Sequence, residues 1–140
     1  MEISYLPWLK GAIVTVGGIL AWIFGPWDTL VAVLLAFVVI DYLTGVLKGG
    51  ALKETSSKVG AKGIAKKVFI FAMVGIAAML DRVVPMNGAI RAAVCMFYIA
   101  NEGISILENA GALGLPLPAK LKDVLVQLRD KNNEKTKDIE

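Results

Sequence analysis

Apolar positions along this chain fall into long runs, separated by Gly/Pro turns and by one block of lysines. The most regular run is WDTLVAVLLAFVVIDYLTGVL, residues 27–47. It is uncharged from Leu30 through Ile40, then holds one carboxylate, Asp41, and resumes until Lys48. An apolar run of about 18 residues or more predicts a helix that crosses a ~30 Å hydrocarbon layer. Three further runs fit the same description: 8–24, 68–84 and 89–107. The first of these is 17 residues long and includes Lys10, so it sits at the short edge of the range. If it does not span, three spans remain and only the N-terminus changes side.

Between the runs the chain punctuates itself. Gly25-Pro26 ends the first predicted helix, and Asp28 is placed to cap the second by accepting from free backbone N–H groups. The first two spans therefore form a tight hairpin, with Trp22 and Trp27 suited to the membrane–water interface. Pro85–Gly88 joins the third and fourth spans, with Asp81, Arg82 and Arg91 as an interfacial charge cluster. Within the first span Gly17, Ala21 and Gly25 recur four apart and so share one helical face. That spacing suits close backbone approach in lipid, although glycine is also simply frequent in membrane helices.

The segment 48–67, KGGALKETSSKVGAKGIAKK, reads as a basic loop, with six lysines against Glu54 alone. Short Lys-rich loops stay cytoplasmic, whereas the opposite ends carry no net charge. Lys58, Lys62, Lys66 and Lys67 are also candidates for contact with anionic lipid. After the fourth span, Gly114, Pro116 and Pro118 break the chain. Leu117, Leu121, Val124, Leu125 and Leu128 then recur at helical spacing among charged residues. This predicts an amphipathic helix over 116–131, lying on the membrane or against another copy, followed by a disordered polar tail, 132–140.

The fold class expected is an all-α membrane protein: four transmembrane helices in two hairpins, within residues 1–115, plus a cytoplasmic amphipathic helix. Composition agrees. Hydrophobic residues make up 56% of the 140, and the mean hydropathy is +0.66; a soluble domain of this size could not bury so much apolar surface. No cleavable signal peptide is expected. With no histidine and only Cys95, a disulfide framework, a Cys/His metal site and His-dependent catalysis are not expected. No cofactor is expected, and no nucleophile–base pair is visible, so an enzyme is not expected. No aromatic residues interleave with the lysines, which argues against nucleic acid.

The candidate chemistry lies inside the spans. Asp41 is six positions before Leu47, and Glu102, next to Asn101, is five before Leu107. Both acids therefore sit within ~10 Å of the cytoplasmic boundary, at similar depth. An ionisable residue inside a membrane helix is a functional candidate by default. Three arrangements are open: pairing with Lys66 or Lys67, a shared proton, or lining of an aqueous path. Asp41, Asn101 and Glu102 are the candidates for pore lining or assembly, and Gly17, Ala21 and Gly25 for helix packing.

Four stretches taken together resemble the toxin secretion/phage lysis holin family. They are IDYLTGVL over 40–47, SKVGAKGIAKK over 57–67, FYIANEGISILEN over 97–109, and the Gly-Leu-Pro-Leu-Pro turn running into Lys120 and Leu121. The resemblance covers about Trp27 to Lys131, in order. It implies a holin that homo-oligomerises in the bacterial cytoplasmic membrane and opens lesions for an endolysin, or for a large toxin. It assigns no catalytic residues. The rival readings are a small four-helix exporter or ion channel and a membrane anchor.

Overall fold

The computed structural model describes residues 6–54 and 56–137. Five helices follow in order: α1 Leu6–Phe24, α2 Thr29–Ala51, α3 Ser57–Val83, α4 Ala89–Ala112 and α5 Ala119–Lys137. There is no strand among the described residues. α1, α2, α4 and the Gly60–Val83 part of α3 are long and apolar enough to cross a membrane.

The turns explain the helix ends. Gly25 adopts φ 77°, a left-handed conformation that stops α1 and that side chains disfavour. Asp28 then caps α2, its carboxylate accepting from Val31 N at 3.1 Å. At the second hairpin Asp81, near the end of α3, accepts from Ile90 N at 3.1 Å and Arg91 N at 2.8 Å. An acid from the preceding helix thus satisfies the free donors of α4 and complements its dipole.

α4 is the central helix and packs against α2, α3 and α5, while α1 lies along α3. The core is one face from each inner helix: Val31, Leu34 and Val38 of α2, Ile70 and Val74 of α3, Cys95 and Ile99 of α4. Leu34, Val74 and Cys95 are completely enclosed. α1 buries no residue. It meets α3 at Gly75, where an added Cβ would lie 3.1 Å from Ile23 Cγ2, and through an edge-on Phe24–Phe71 pair with centroids 6.4 Å apart.

Four expectations are revised. The basic stretch 48–67 is not a loop: Lys48–Ala51 finish α2 and Ser57–Lys67 begin α3. Lysine and alanine are good helix formers, so the lysine excess reported on charge and not on conformation. Gly25 lies beyond the end of α1, so it does not share a helical face with Gly17 and Ala21. The C-terminal helix starts at Ala119, after Pro118, and continues through Lys137, so 132–137 is helical where a disordered tail was expected; 138–140 and 1–5 lie outside the described residues. Finally, α5 packs on α4 of its own chain. Leu125 is buried with Ile104 and Leu107, while Leu121 and Val124 stay exposed. Gly103 permits this approach, since a Cβ there would fall 2.9 Å from Leu125 Cδ1.

Candidate functional site: a buried ionic triad

Three helices each contribute one charged residue to a single point. Lys67 of α3 donates from Nζ to Asp41 Oδ2 of α2 and to Glu102 Oε2 of α4. Each of the two acids is 8% exposed. The register is set by the apolar face of each helix. Asp41 follows Val31, Leu34 and Val38 at three- and four-residue steps, and Glu102 follows Cys95 and Ile99 by the same steps. The acids are thus continuations of the core stripe, which is why they point inward. Of the arrangements open from the sequence, the structure has the pairing with Lys67.

Asn109, also 8% exposed, locks the α2 side. Its Nδ2 donates to Asp41 Oδ1 at 3.2 Å and to Thr44 Oγ1 at 3.1 Å, and Thr44 Oγ1 donates back to the Asp41 carbonyl at 3.1 Å. Asn109 was not singled out in the sequence. The available signal was its place seven residues after Glu102, two helical turns along the same face. Two carboxylates share one ammonium, so the triad has formal charge −1. In a low-dielectric setting such a cluster is costly to assemble and costlier to leave incomplete.

The triad lines an open cavity of about 430 Å³, together with Lys48, Glu54, Lys66 and Ser105 among others. The cavity therefore reaches the buried charges from the lysine-rich end of the bundle. Beyond the triad, toward the other end, the enclosed Leu34, Val74 and Cys95 close the interior. Lys58, Lys62 and Lys66 are exposed, but Lys67 is interior, which removes it from the lipid-contact set. Asn101 is half-buried and lines an adjoining groove with Lys62, Tyr98 and, shared with the first cavity, Lys66 and Glu102.

A second ionic knot closes the opposite end. Arg91 of α4, 7% exposed, donates from Nε to the Phe24 carbonyl at 2.7 Å. Its other nitrogens donate to Asp28 Oδ2 at 2.8 Å, to Asp28 Oδ1 at 3.2 Å and to the Pro26 carbonyl at 2.7 Å. Gly25 is pressed against this side chain, since a Cβ would lie 3.2 Å from Arg91 Nε. The Arg91 guanidinium holds the Asp28 carboxyl below the usual carboxylate range, and the Val31 N–H helps. Arg82 donates to the Trp22 carbonyl and lies 4.9 Å over the Trp22 ring. The charges expected as an interfacial cluster thus also tie the two hairpins together.

Fold and site together define a four-span helical membrane protein, with an ionic triad inside the bundle and an ionic clasp at one end. The family model of the bacteriophage holin family matches residues 18–130. A probable holin of Bacillus phage phi105 is 36% identical over 116 residues, 83% of this chain and 85% of its own. A 14.9 kDa protein from the nagH 3' region of Clostridium perfringens is 49% identical over 131 residues, 92% of this chain and 96% of its own. A Listeria monocytogenes protein is 44% identical over 126 residues, 90% of each chain. No solved structure matches. The chain belongs to the bacteriophage holin family.

Proposed function

We propose that this chain accumulates in the bacterial cytoplasmic membrane, self-associates there and opens lesions through which an endolysin, or a large toxin, crosses. The role is non-enzymatic. Family membership and the likeness to a phage protein named as a probable holin support it. The observation that carries it is the triad, a charged cluster within membrane-length helices, already joined to an open cavity. Polar faces that line water after rearrangement must be stored somewhere before it. Here they are stored at the α2–α3–α4 junction, two carboxylates held by the one ammonium of Lys67. Asp41 and Glu102, with Asn101 on the adjoining face, are the candidates for lining or assembly.

One chain has no route for a folded enzyme, so many copies must border the opening. α1 is the free surface for that contact: it buries no residue, and nothing lies within 4 Å of a Cβ placed on Gly17. Gly17 and Ala21 would then let α1 approach a neighbouring copy closely. The lysine-rich end, with the cavity mouth and the start of α5, faces the cytoplasm under the positive-inside rule, and Lys58, Lys62 and Lys66 meet anionic lipid there. The rival ion-channel reading uses the same cavity, but it requires a path through the enclosed layer of Leu34, Val74 and Cys95.

The test is co-expression in bacteria with a cytoplasmic peptidoglycan hydrolase that lacks an export signal. Abrupt loss of culture turbidity is expected only when both proteins are made. Depolarised cells that keep the hydrolase inside and do not lyse would reject lesion formation and favour the channel.

A further inference from the structure

α5 is too polar to be a membrane span, yet it lies alongside one. Its Leu125 sits over Gly103 of α4 and its Leu117 over Gly111, where Cβ atoms would fall 2.9 Å and 3.3 Å from the leucine methyls. The two leucines are eight positions apart, and so are the two glycines, so α5 runs antiparallel to α4 and in step with it. One turn past Leu125, Arg129, Asp130 and Lys131 therefore come level with Ile99, Tyr98 and Phe97. Those residues are near the middle of α4, which is long and apolar enough to cross a membrane. Asp123, Gln127, Asp130 and Lys131 are exposed, so the outer face of α5 is polar at that depth. Charged side chains facing hydrocarbon are costly, and in membrane proteins they face protein or water instead. The flank made by α1 is different. It presents Ile13, Val14, Val16 and Ile19, each more than half exposed, and among the described residues α1 and α5 do not touch. The folded chain thus has one flank suited to lipid or a neighbouring copy and another suited to water.

We infer that docked α5 is the water-facing wall of the assembly: it lies at membrane depth against α4 of its own chain with its outer face on the aqueous opening, and a lone copy in lipid does not hold it there. Leu125, 7% exposed, and the bare backbone of Gly103 supply the docking contact. In a lone copy the same position would turn Asp130 and Lys131 to hydrocarbon, so α5 stays on the cytoplasmic side until copies assemble. Assembly then exchanges lipid for water beside α4, and the docked position becomes the favourable one. This adds a second polar surface to the one held at the triad, and it requires no unpacking of α2, α3 and α4. The inference rests on the proposed self-association, not on the release of cargo.

The experiment places nitroxide labels on the full-length chain, in a Cys95→Ala background, at Met86→Cys and Asp130→Cys, both exposed positions. The chain is reconstituted without cargo into phosphatidylcholine–phosphatidylglycerol vesicles at rising protein-to-lipid ratio, and assembly is followed by chemical cross-linking. Met86 lies in the outer turn, 12 positions from Tyr98, so docked α5 is expected to give a separation of about 20 Å. Undocked α5 lies across the ~30 Å hydrocarbon layer from Met86 and gives a longer one. The short separation is expected to appear only as copies cross-link. The label at Asp130 alone is then expected to collide with a water-soluble nickel complex and not with oxygen dissolved in the lipid. Gln127→Cys in place of Asp130→Cys is expected to give a separation about 5 Å longer, as the antiparallel register requires. A long separation at every ratio would overturn the inference, and so would a short one in isolated copies. A docked label that meets oxygen would place α5 against lipid, and one shielded from both probes would place it against a neighbouring copy; either rejects the water-facing wall. Copies that assemble with wet, docked α5 but release no folded protein would fail the proposed role and leave this inference standing.

Discussion

Lys67→Met is expected to unfold the inner bundle, with a loss of about 3–5 kcal/mol of stability, the cost of removing one partner from a buried ionic set. Lys67 holds Asp41 and Glu102 together across two helices. Without its ammonium, two carboxylates, each 8% exposed, face each other with no cation between them. Asn109 continues to donate to Asp41, but an amide does not cancel the charge. The decisive comparison is the triple variant Asp41→Asn, Lys67→Met, Glu102→Gln. It removes all three charges at nearly constant volume and is expected to recover most of the loss, because a whole buried ionic set often exchanges for neutral groups at little cost. The measurement is thermal unfolding in detergent, followed by far-UV circular dichroism. Strong non-additivity between the single and triple variants is the expected pattern. Wild-type stability in Lys67→Met would show that the triad does not hold the helices.

Arg91→Leu is expected to cost about 3 kcal/mol, since hydrogen bonds to charged groups contribute about 1.5–3 kcal/mol and several share one guanidinium here. Arg91 joins α4 to the turn between α1 and α2 by bonds to Phe24, Pro26 and Asp28. Arg91→Lys restores the charge but not the fork that reaches three residues at once, so only partial rescue is expected. The same contact has a pH signature. The Asp28 carboxyl is held below the usual carboxylate range, first by its hydrogen bond to Arg91. A depressed carboxylate contributes stability that is complete above its unfolded-state value of about 4 and is lost as pH falls through the lowered folded-state value. The difference between wild type and Arg91→Leu is therefore expected to be constant near neutrality and to shrink below about pH 4. An unchanged gap at acid pH would show that the Asp28 carboxylate is not the linked group.

Local chemistry was legible in the sequence where it decided structure alone. The apolar runs, the Gly25-Pro26 break and the Asp28 cap each follow from residues within one or two turns. Counting residues from the helix ends also put Asp41 and Glu102 at one depth. Lys67 was within reach as a partner, but Lys66 was equally so, because choosing between neighbours requires knowing which face of α3 meets α4. The Arg91–Asp28 clasp joins residues 63 positions apart, and no periodicity reports such a pairing. Charge misled at the 48–67 stretch, where lysines mark the side of a membrane but do not break a helix. The docking of α5 was hidden for another reason. Its apolar stripe fits a lipid surface, another copy or its own chain equally well, and it is the missing side chain of Gly103 on α4 that makes room for Leu125.

The most direct measurement of the proposed role is release from liposomes carrying the purified chain at rising protein-to-lipid ratio, with a small dye and a folded protein of endolysin size sealed inside together. If copies border a large opening, both cargoes are expected to escape above one steep, shared threshold. Escape of the dye with the folded protein retained at every ratio would contradict lesion formation and leave a narrow channel as the account of the buried triad.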